Sequence, residues 1–470
     1  MATTHDQQSS VTGSSARLLS TTTKTRPQMQ EITPRWLLRL LPWVEVPGGV
    51  YRINRRLRLS QTPGRVPASV DGDEIGLEPL SLRGISIFEF ADPLLLGAVS
   101  GLFVREDYEP GAEFLQEDQG VEKLYIVVQG KIELSRVGSH GDRQQLRLLS
   151  DGDHFGEVCL LGEVERNPSA RALTPAVLLS LDRSRLEELL TGDEPLRRAF
   201  DQSVERRQSV SSGTNAYGEA VIDVVSVQAG EPVLPTTFAD YDPNPIEHHL
   251  SAVQTILTVQ TRVTEIYNDP YIQLDEQVRL TIETVKERQE WEIINNAEFG
   301  LLSQAPADMR IPTRTGPPTP DDLDELLAKV WKKPAFFLAS PKAIAAFGRE
   351  CTRRGVPPPT TMLAGVPMIT WRGVPLVPSD KLGERFSRHG RLVSDILLIR
   401  VGEADQGVVG LSQTGAQNEK LPGARVTFNG VDERGIAHYL VTVYYGVAVL
   451  TPDAVGVLVD VELGRYHDYN

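Results

Sequence analysis

Short apolar runs alternate with glycines from residue 88 to residue 205, and that rhythm limits what the segment can become. Gly111, Gly130, Gly141, Gly152, Gly156 and Gly162 separate runs at 103–108, 123–128, 131–136, 145–149 and 177–181. Such runs are too short for helices, and glycines suit tight corners. The pattern predicts a small β-barrel or jelly roll. Helical stretches at 183–190 and 194–207 close it. Residues 208–235 are rich in Ser, Gly and Val and read as a linker.

The flanking segments follow other patterns. With 470 residues the chain is expected to hold two or three domains. Residues 1–30 read as a flexible polar arm; twelve of the first 25 are Ser or Thr, with no apolar block of a secretory signal. Thr33 then reads as a helix cap and Pro34 as a first helical residue, with Trp36, Leu37, Leu40 and Leu41 on one face. Beyond residue 236, Ile246, Leu250, Val253, Leu257, Val263 and Ile266 fall at helical spacing, as do Leu274, Val278, Ile282 and Val285. Thr319-Pro320-Asp321-Asp322 is a strong helix start, and Ser340-Pro341 repeats the device. Strands are expected at 396–401, 408–411, 425–429 and 440–450. The region reads as α+β.

Charge and motif content exclude several functions. Lys and Arg number 48 against 63 Asp and Glu, a net −15, which repels a phosphate backbone. No nucleic-acid partner is expected. No stretch is long and apolar enough for a membrane span, because Thr451, Pro452 and Asp453 interrupt residues 441–463. Two cysteines, Cys159 and Cys351, exclude a disulfide scaffold, and a cytoplasmic protein is the natural reading. There is no nucleophile elbow, His-Glu-x-x-His, cysteine pair at metal spacing or P-loop, so no catalytic residues or metal ligands are assigned and an enzyme is not expected. His248-His249, read as neighbours on a helix, would diverge. Asp321-Asp322-Leu323-Asp324 is explained by capping.

The site-like stretch is Asp153-His154-Phe155-Gly156-Glu157, an apolar turn, then Arg166-Asn167-Pro168-Ser169-Ala170-Arg171-Ala172. A glycine lets backbone amides approach a ligand. A carboxylate accepts sugar hydroxyls, and an arginine forks onto a phosphate. The stretch resembles the phosphate-binding cassette of cyclic-nucleotide-binding domains, over roughly residues 88–207. The resemblance implies that Glu157 takes the ribose 2′-hydroxyl and Arg166 the cyclic phosphate, within a site of Phe155, Gly156, Glu157, Arg166, Asn167 and Ser169. The ligand implied is cyclic AMP or cyclic GMP, with no required cofactor. The cassette departs from the usual pattern at Asn167 and Pro168, and Pro168 has no N–H to donate.

The flanks resemble something else. Thr33-Pro34-Arg35-Trp36-Leu37-Leu38, Gly49-Val50-Tyr51-Arg52-Ile53-Asn54-Arg55 and Arg279-Leu280-Thr281-Ile282-Glu283-Thr284-Val285-Lys286-Glu287-Arg288 resemble family 2 encapsulin shell proteins. So do Ala345-Ala346-Phe347-Gly348-Arg349-Glu350, Arg354-Gly355-Val356-Pro357-Pro358-Pro359 and Thr370-Trp371-Arg372-Gly373-Val374-Pro375. A shell chain interrupted by a nucleotide domain resembles the type 2B subclass. The resemblance implies the Hong Kong 97-type phage capsid fold with an inserted β-jelly-roll domain displayed outward. The boundaries expected are 31–85 for the capsid N-arm and start of the extended loop, 86–207 for the insertion, and 236–470 for the P and A domains. It further implies self-assembly into an icosahedral nanocompartment of about sixty subunits. The cargo implied is an enzyme, a terpene cyclase such as 2-methylisoborneol synthase or a polyprenyl transferase. The rivals are a nucleotide-sensing scaffold without a cage and a transcription regulator, which would need a helix-turn-helix after the nucleotide domain.

Overall fold

The computed structural model describes residues 25–467, apart from 61–63, 72–73, 117–121, 138–142, 162–167, 227–232, 238, 261–271, 388–389, 414–418 and 422–423. The chain forms two compact units. One comprises the residues up to Ile53, Ile246–Ala305 and Thr315–Asn470; the other comprises Asn54–Pro245 and Pro306–Arg314. The second unit is thus wider than the 86–207 insertion expected. Its extra residues are 54–85, 208–245 and 306–314, and the first two run together. Leu57 N–H donates to the Asp240 carbonyl at 2.8 Å, and Leu59 N–H to that of Gly218 at 2.8 Å. The stretch expected as a linker from 208 begins as the last turn of helix Glu194–Ser212.

The second unit contains a β-sandwich of two four-stranded antiparallel sheets. One runs in the order His154–Phe155, Lys123–Gln129, Ala176–Asp182, Val104–Tyr108. The other runs Glu113–Leu115, Ser169–Ala172, Ile132–Val137, Arg143–Leu149. Val127, Ile132, Leu149, Ala170, Leu178 and Leu179 are fully buried in the core of this unit. Helices Pro93–Ser100, Arg183–Gly192 and Glu194–Ser212 flank the sandwich. Gly130 marks one corner at φ +108°, where a Cβ would lie 2.6 Å from the Pro175 carbonyl, so only glycine fits.

Among its described residues the other unit holds two large sheets and a two-stranded pairing of Val50–Ile53 with Ile246–His249. In one, Ile436–Val449 is the long central strand, paired with Val408–Ser412, Ala424–Val431 and Ser251–Gln260. In the other, Leu392–Ile399 lies between Val455–Glu462 and Phe336–Ala339, followed by Val374–Pro378, Val366–Trp371 and Thr360–Leu363. Helix Pro320–Lys329 starts on the capping box of Thr319 and Asp322, and Pro341–Arg353 on Ser340. Asp324 instead accepts from Trp371 Nε1 at 2.7 Å and pairs with Arg372 at 2.9 Å. Among the described residues no group of three or more His, Cys, Asp or Glu is placed to hold a metal ion. Likewise, no described helix is long and apolar enough to cross a membrane.

The helix expected from Ile246 to Ile266 is replaced by strands Ile246–His249 and Ser251–Gln260; Val263 and Ile266 lie outside the described residues. The residue types explain the change. Val253, Thr255, Ile256, Thr258 and Val259 are β-branched and favour a pleated, half-buried surface. Val253, Leu257 and Val259 turn inward while Gln254, Ile256 and Thr258 face out, a period of two. His248 and His249 therefore diverge as strand neighbours, not as helix neighbours.

The N-terminal arm docks on the long helix Gln273–Asn295. Its helix is Trp36–Leu40, with Trp36, Leu37 and Leu41 buried against Val278, Ile282 and Val285. Thr33 does not cap it. The helix begins two residues later than the Thr33-Pro34 pair predicts, after Arg35, which sits at φ +48°. Thr33 donates its N–H and its hydroxyl to Glu287, each at 2.8 Å. Glu290 supplies the cap from outside, accepting Leu37 N–H at 2.9 Å. Arg35 pairs with Glu283 and, at 3.4 Å, with Glu287. Glu283, Glu287 and Glu290 are spaced i, i+4, i+7, so one helix face presents all three carboxylates to the arm.

The arm continues as strand Trp43–Glu45, parallel to Val408–Ser412. A Cβ on Gly410 would lie 2.7 Å from the Trp43 ring. Gly410→Ala is therefore expected to expel the indole and destabilise the unit by about 1–3 kcal/mol. A lowered thermal midpoint with faster proteolysis at 41–46 would show it; an unchanged midpoint would mean that the indole has room to move.

Candidate functional site

The candidate ligand site turns on the junction between strand His154–Phe155 and the 3₁₀ turn Glu157–Leu161. Gly156 joins them at φ +85°, a conformation that costs other residues about 1–2 kcal/mol. Its carbonyl accepts Cys159 N–H at 3.2 Å, which folds the turn back on itself. The cysteine is buried, and burial pushes its thiol up to about 11, as suits an inert core group.

The expected site residues do not all face a ligand. Phe155 is a core residue: its ring stacks on Tyr125 at 5.0 Å, within a cluster that includes Phe114. Alternation along the strand sends its neighbour His154 the other way. Ser169 is buried on strand Ser169–Ala172, opposite Ser135. Arg166 and Asn167 lie outside the described residues. Arg171 pairs with Glu133 at 2.7 Å and so is engaged away from Glu157.

Glu157 is held by a residue that the sequence reading missed. Ser86 donates its hydroxyl to Oε1 at 2.8 Å and its amide to Oε2 at 3.2 Å. His154 Nε2 stands 3.7 Å from the same carboxylate. Burial lowers the His154 pKa, which favours the neutral ring and leaves Ser86 as the stronger donor. No local signal marks Ser86, which precedes its partner by 71 residues. The arrangement is chemically that of a hydroxyl acceptor beside a glycine turn.

Comparisons with known proteins match two separate stretches of the chain. A family model described as type 2A encapsulin shell protein SrpI-like matches residues 207–465. A cyclic nucleotide-binding domain model matches residues 105–193. The type 2A encapsulin shell protein SrpI of Synechococcus elongatus is 54% identical over 248 residues, 53% of this chain and 79% of its own. The cryo-EM structure of the holo-SrpI encapsulin complex from the same species matches with a TM-score of 0.55 at 32% identity, covering 98% of this chain and 99% of that one. The HTH-type transcriptional regulator Cmr of Mycobacterium tuberculosis is 37% identical over 106 residues, 23% of this chain and 43% of that regulator. Between Ser212 and Ile246 the described residues of this chain contain no helix.

The subclass expected from the interrupted pattern, type 2B, is corrected by these matches, which carry the type 2A description. The mark behind that expectation, the inserted domain, lies almost wholly outside the matched shell residues. With more than half of the chain matched by one shell model and a nucleotide domain lodged ahead of that match, the chain belongs to the SrpI-like family of encapsulin shell proteins and carries an inserted cyclic nucleotide-binding domain.

Proposed function

We propose that the chain is the repeating subunit of a closed icosahedral compartment that encloses an enzyme in the bacterial cytoplasm, and that its inserted domain binds cyclic AMP or cyclic GMP. The observation that carries the shell reading is the 54% identity over 248 residues to a shell protein. Closed shells use one contact repeated by symmetry, so each subunit needs surfaces that fit its neighbours. About sixty copies, each at −15, make a strongly acidic particle that repels its like and stays dispersed. From the sequence resemblance we assign the cargo to terpene cyclases, such as 2-methylisoborneol synthase, or polyprenyl transferases.

Imaging and light scattering of the purified protein test the shell reading. Hollow megadalton particles are expected; monomers and dimers under every condition would reject it in favour of a nucleotide-sensing scaffold. Mass spectrometry of particles purified from their own cells tests the cargo assignment, and particles without either enzyme class would reject it.

The ligand reading is supported by the domain match and by Glu157 beside the glycine turn. Calorimetry with cyclic AMP and cyclic GMP tests it. The wild type is expected to bind one of them, and Arg166→Ala to bind at least tenfold more weakly, since a charged fork on phosphate is lost. Equal heats from both proteins would remove Arg166 from the site.

A further inference from the structure

We propose that Ser86 gates the nucleotide site: its amide and hydroxyl occupy the Glu157 carboxylate that a ribose hydroxyl needs, so ligand binding and release of the 86–88 turn are one event. The proposal rests on the reading that the inserted domain binds a cyclic nucleotide. Both carboxylate oxygens are engaged by the one serine, Oε1 at 2.8 Å and Oε2 at 3.2 Å. A ribose hydroxyl is a donor of the same kind as the serine hydroxyl, and in the proposed gate it takes the serine's place on the carboxylate.

The turn that Ser86 anchors is tied to the rest of the domain. Ser86–Phe88 is a single 3₁₀ turn, flanked by fully buried Ile85 and containing fully buried Ile87 and Phe88. Ser203, on helix Glu194–Ser212, donates its hydroxyl to the Ile87 carbonyl at 3.4 Å. Loss of the serine clamp therefore loosens a turn that the closing helix touches directly. The alternative role for Ser86, orienting Glu157 for the sugar, predicts the opposite sign on affinity.

Titration of the full-length protein with cyclic AMP and with cyclic GMP by calorimetry separates these roles. Ser86→Ala is expected to bind about tenfold more tightly than wild type, equivalent to about 1.4 kcal/mol. Ser86→Cys, with a weaker donor of similar size, is expected to shift affinity the same way by less. In wild type, saturating cyclic AMP is expected to speed amide exchange at 86–91 and along 194–207. Weaker binding by Ser86→Ala would overturn the gate and make Ser86 a positioning residue. Unchanged affinity would overturn the gate and leave the nucleotide reading intact. No heat from wild type or either variant would overturn the nucleotide reading, and the gate with it.

Discussion

Glu287→Ala is expected to cost the shell unit roughly 3–5 kcal/mol and to detach the arm from the long helix. The side chain is 4% exposed, and Lys381 and Arg35 beside it are 11% and 12% exposed. Lys381 Nζ lies 2.7 Å from Oε2, and Thr33 gives two hydrogen bonds. Burial pushes the Glu287 carboxyl up, but the bonds from Lys381 and Thr33 together hold it below the usual range. Removing it takes one partner from each of two largely buried cations, leaving Arg35 with Glu283 and Lys381 with Asp380, and unpairs the two Thr33 donors, which costs more than the pair itself contributes. Chemical unfolding would measure the loss, and trypsin cleavage after Arg35 and Arg39 would report the freed arm. Glu287→Gln, which keeps an acceptor and loses the charge, is expected to fall between. A cost below about 1 kcal/mol would mean that Trp36 and Leu37 hold the arm alone.

Local chemistry explains which parts of the fold could be read from the sequence. The sandwich strands were legible because glycine corners and apolar runs are short-range signals. Helix Pro320–Lys329 was legible because its cap, proline and acids lie within four residues. The three strands missed in the sandwich, Glu113–Leu115, His154–Phe155 and Ser169–Ala172, are two to four residues long, too short for a period to register. Ser251–Gln260 was misread because Leu250, Val253 and Leu257 fall at helical spacing by coincidence. What decides the matter is ten-residue pairing with Ile436–Val449, a partner almost two hundred residues away.

The site followed the same division. Gly156 and Glu157 were legible from the cassette spacing, and the left-handed glycine is where that spacing requires it. Phe155 was assigned to the ligand because the motif contains it, yet its alternation with His154 sends it to the core. Ser86 was invisible because its role exists only through a contact with a distant carboxylate. The arm shows the same limit: Thr33 looked like a local cap, and the real cap is Glu290 from another helix.

Glu290 gives the arm a pH dependence whose sign can be worked out. It is 1% exposed, and burial pushes its carboxyl from an ordinary 4.5 up to about 7, only partly offset by the amides of Leu37 and Leu38 and by Lys381; the Glu287 charge pushes the same way as burial. The folded state therefore holds a proton that the unfolded chain gives up. Its contribution is fully present below about 4.5 and is lost as pH rises through about 7. The shift corresponds to about 3 kcal/mol. Glu287 acts in the opposite direction at lower pH, since a depressed carboxyl loses its contribution as acid protonates it. Wild-type stability is thus expected to fall as pH rises from about 4.5 to about 7 and to level off above that. Glu290→Gln keeps the acceptor for the Leu37 amide without the charge, so it is expected to flatten that dependence and to be the more stable protein at pH 8. Amide exchange at residues 36–41, measured across that range in both proteins, reads the effect at the arm itself. Parallel pH curves would show that Glu290 does not titrate there, and that the amide donors alone keep its carboxylate charged in the interior.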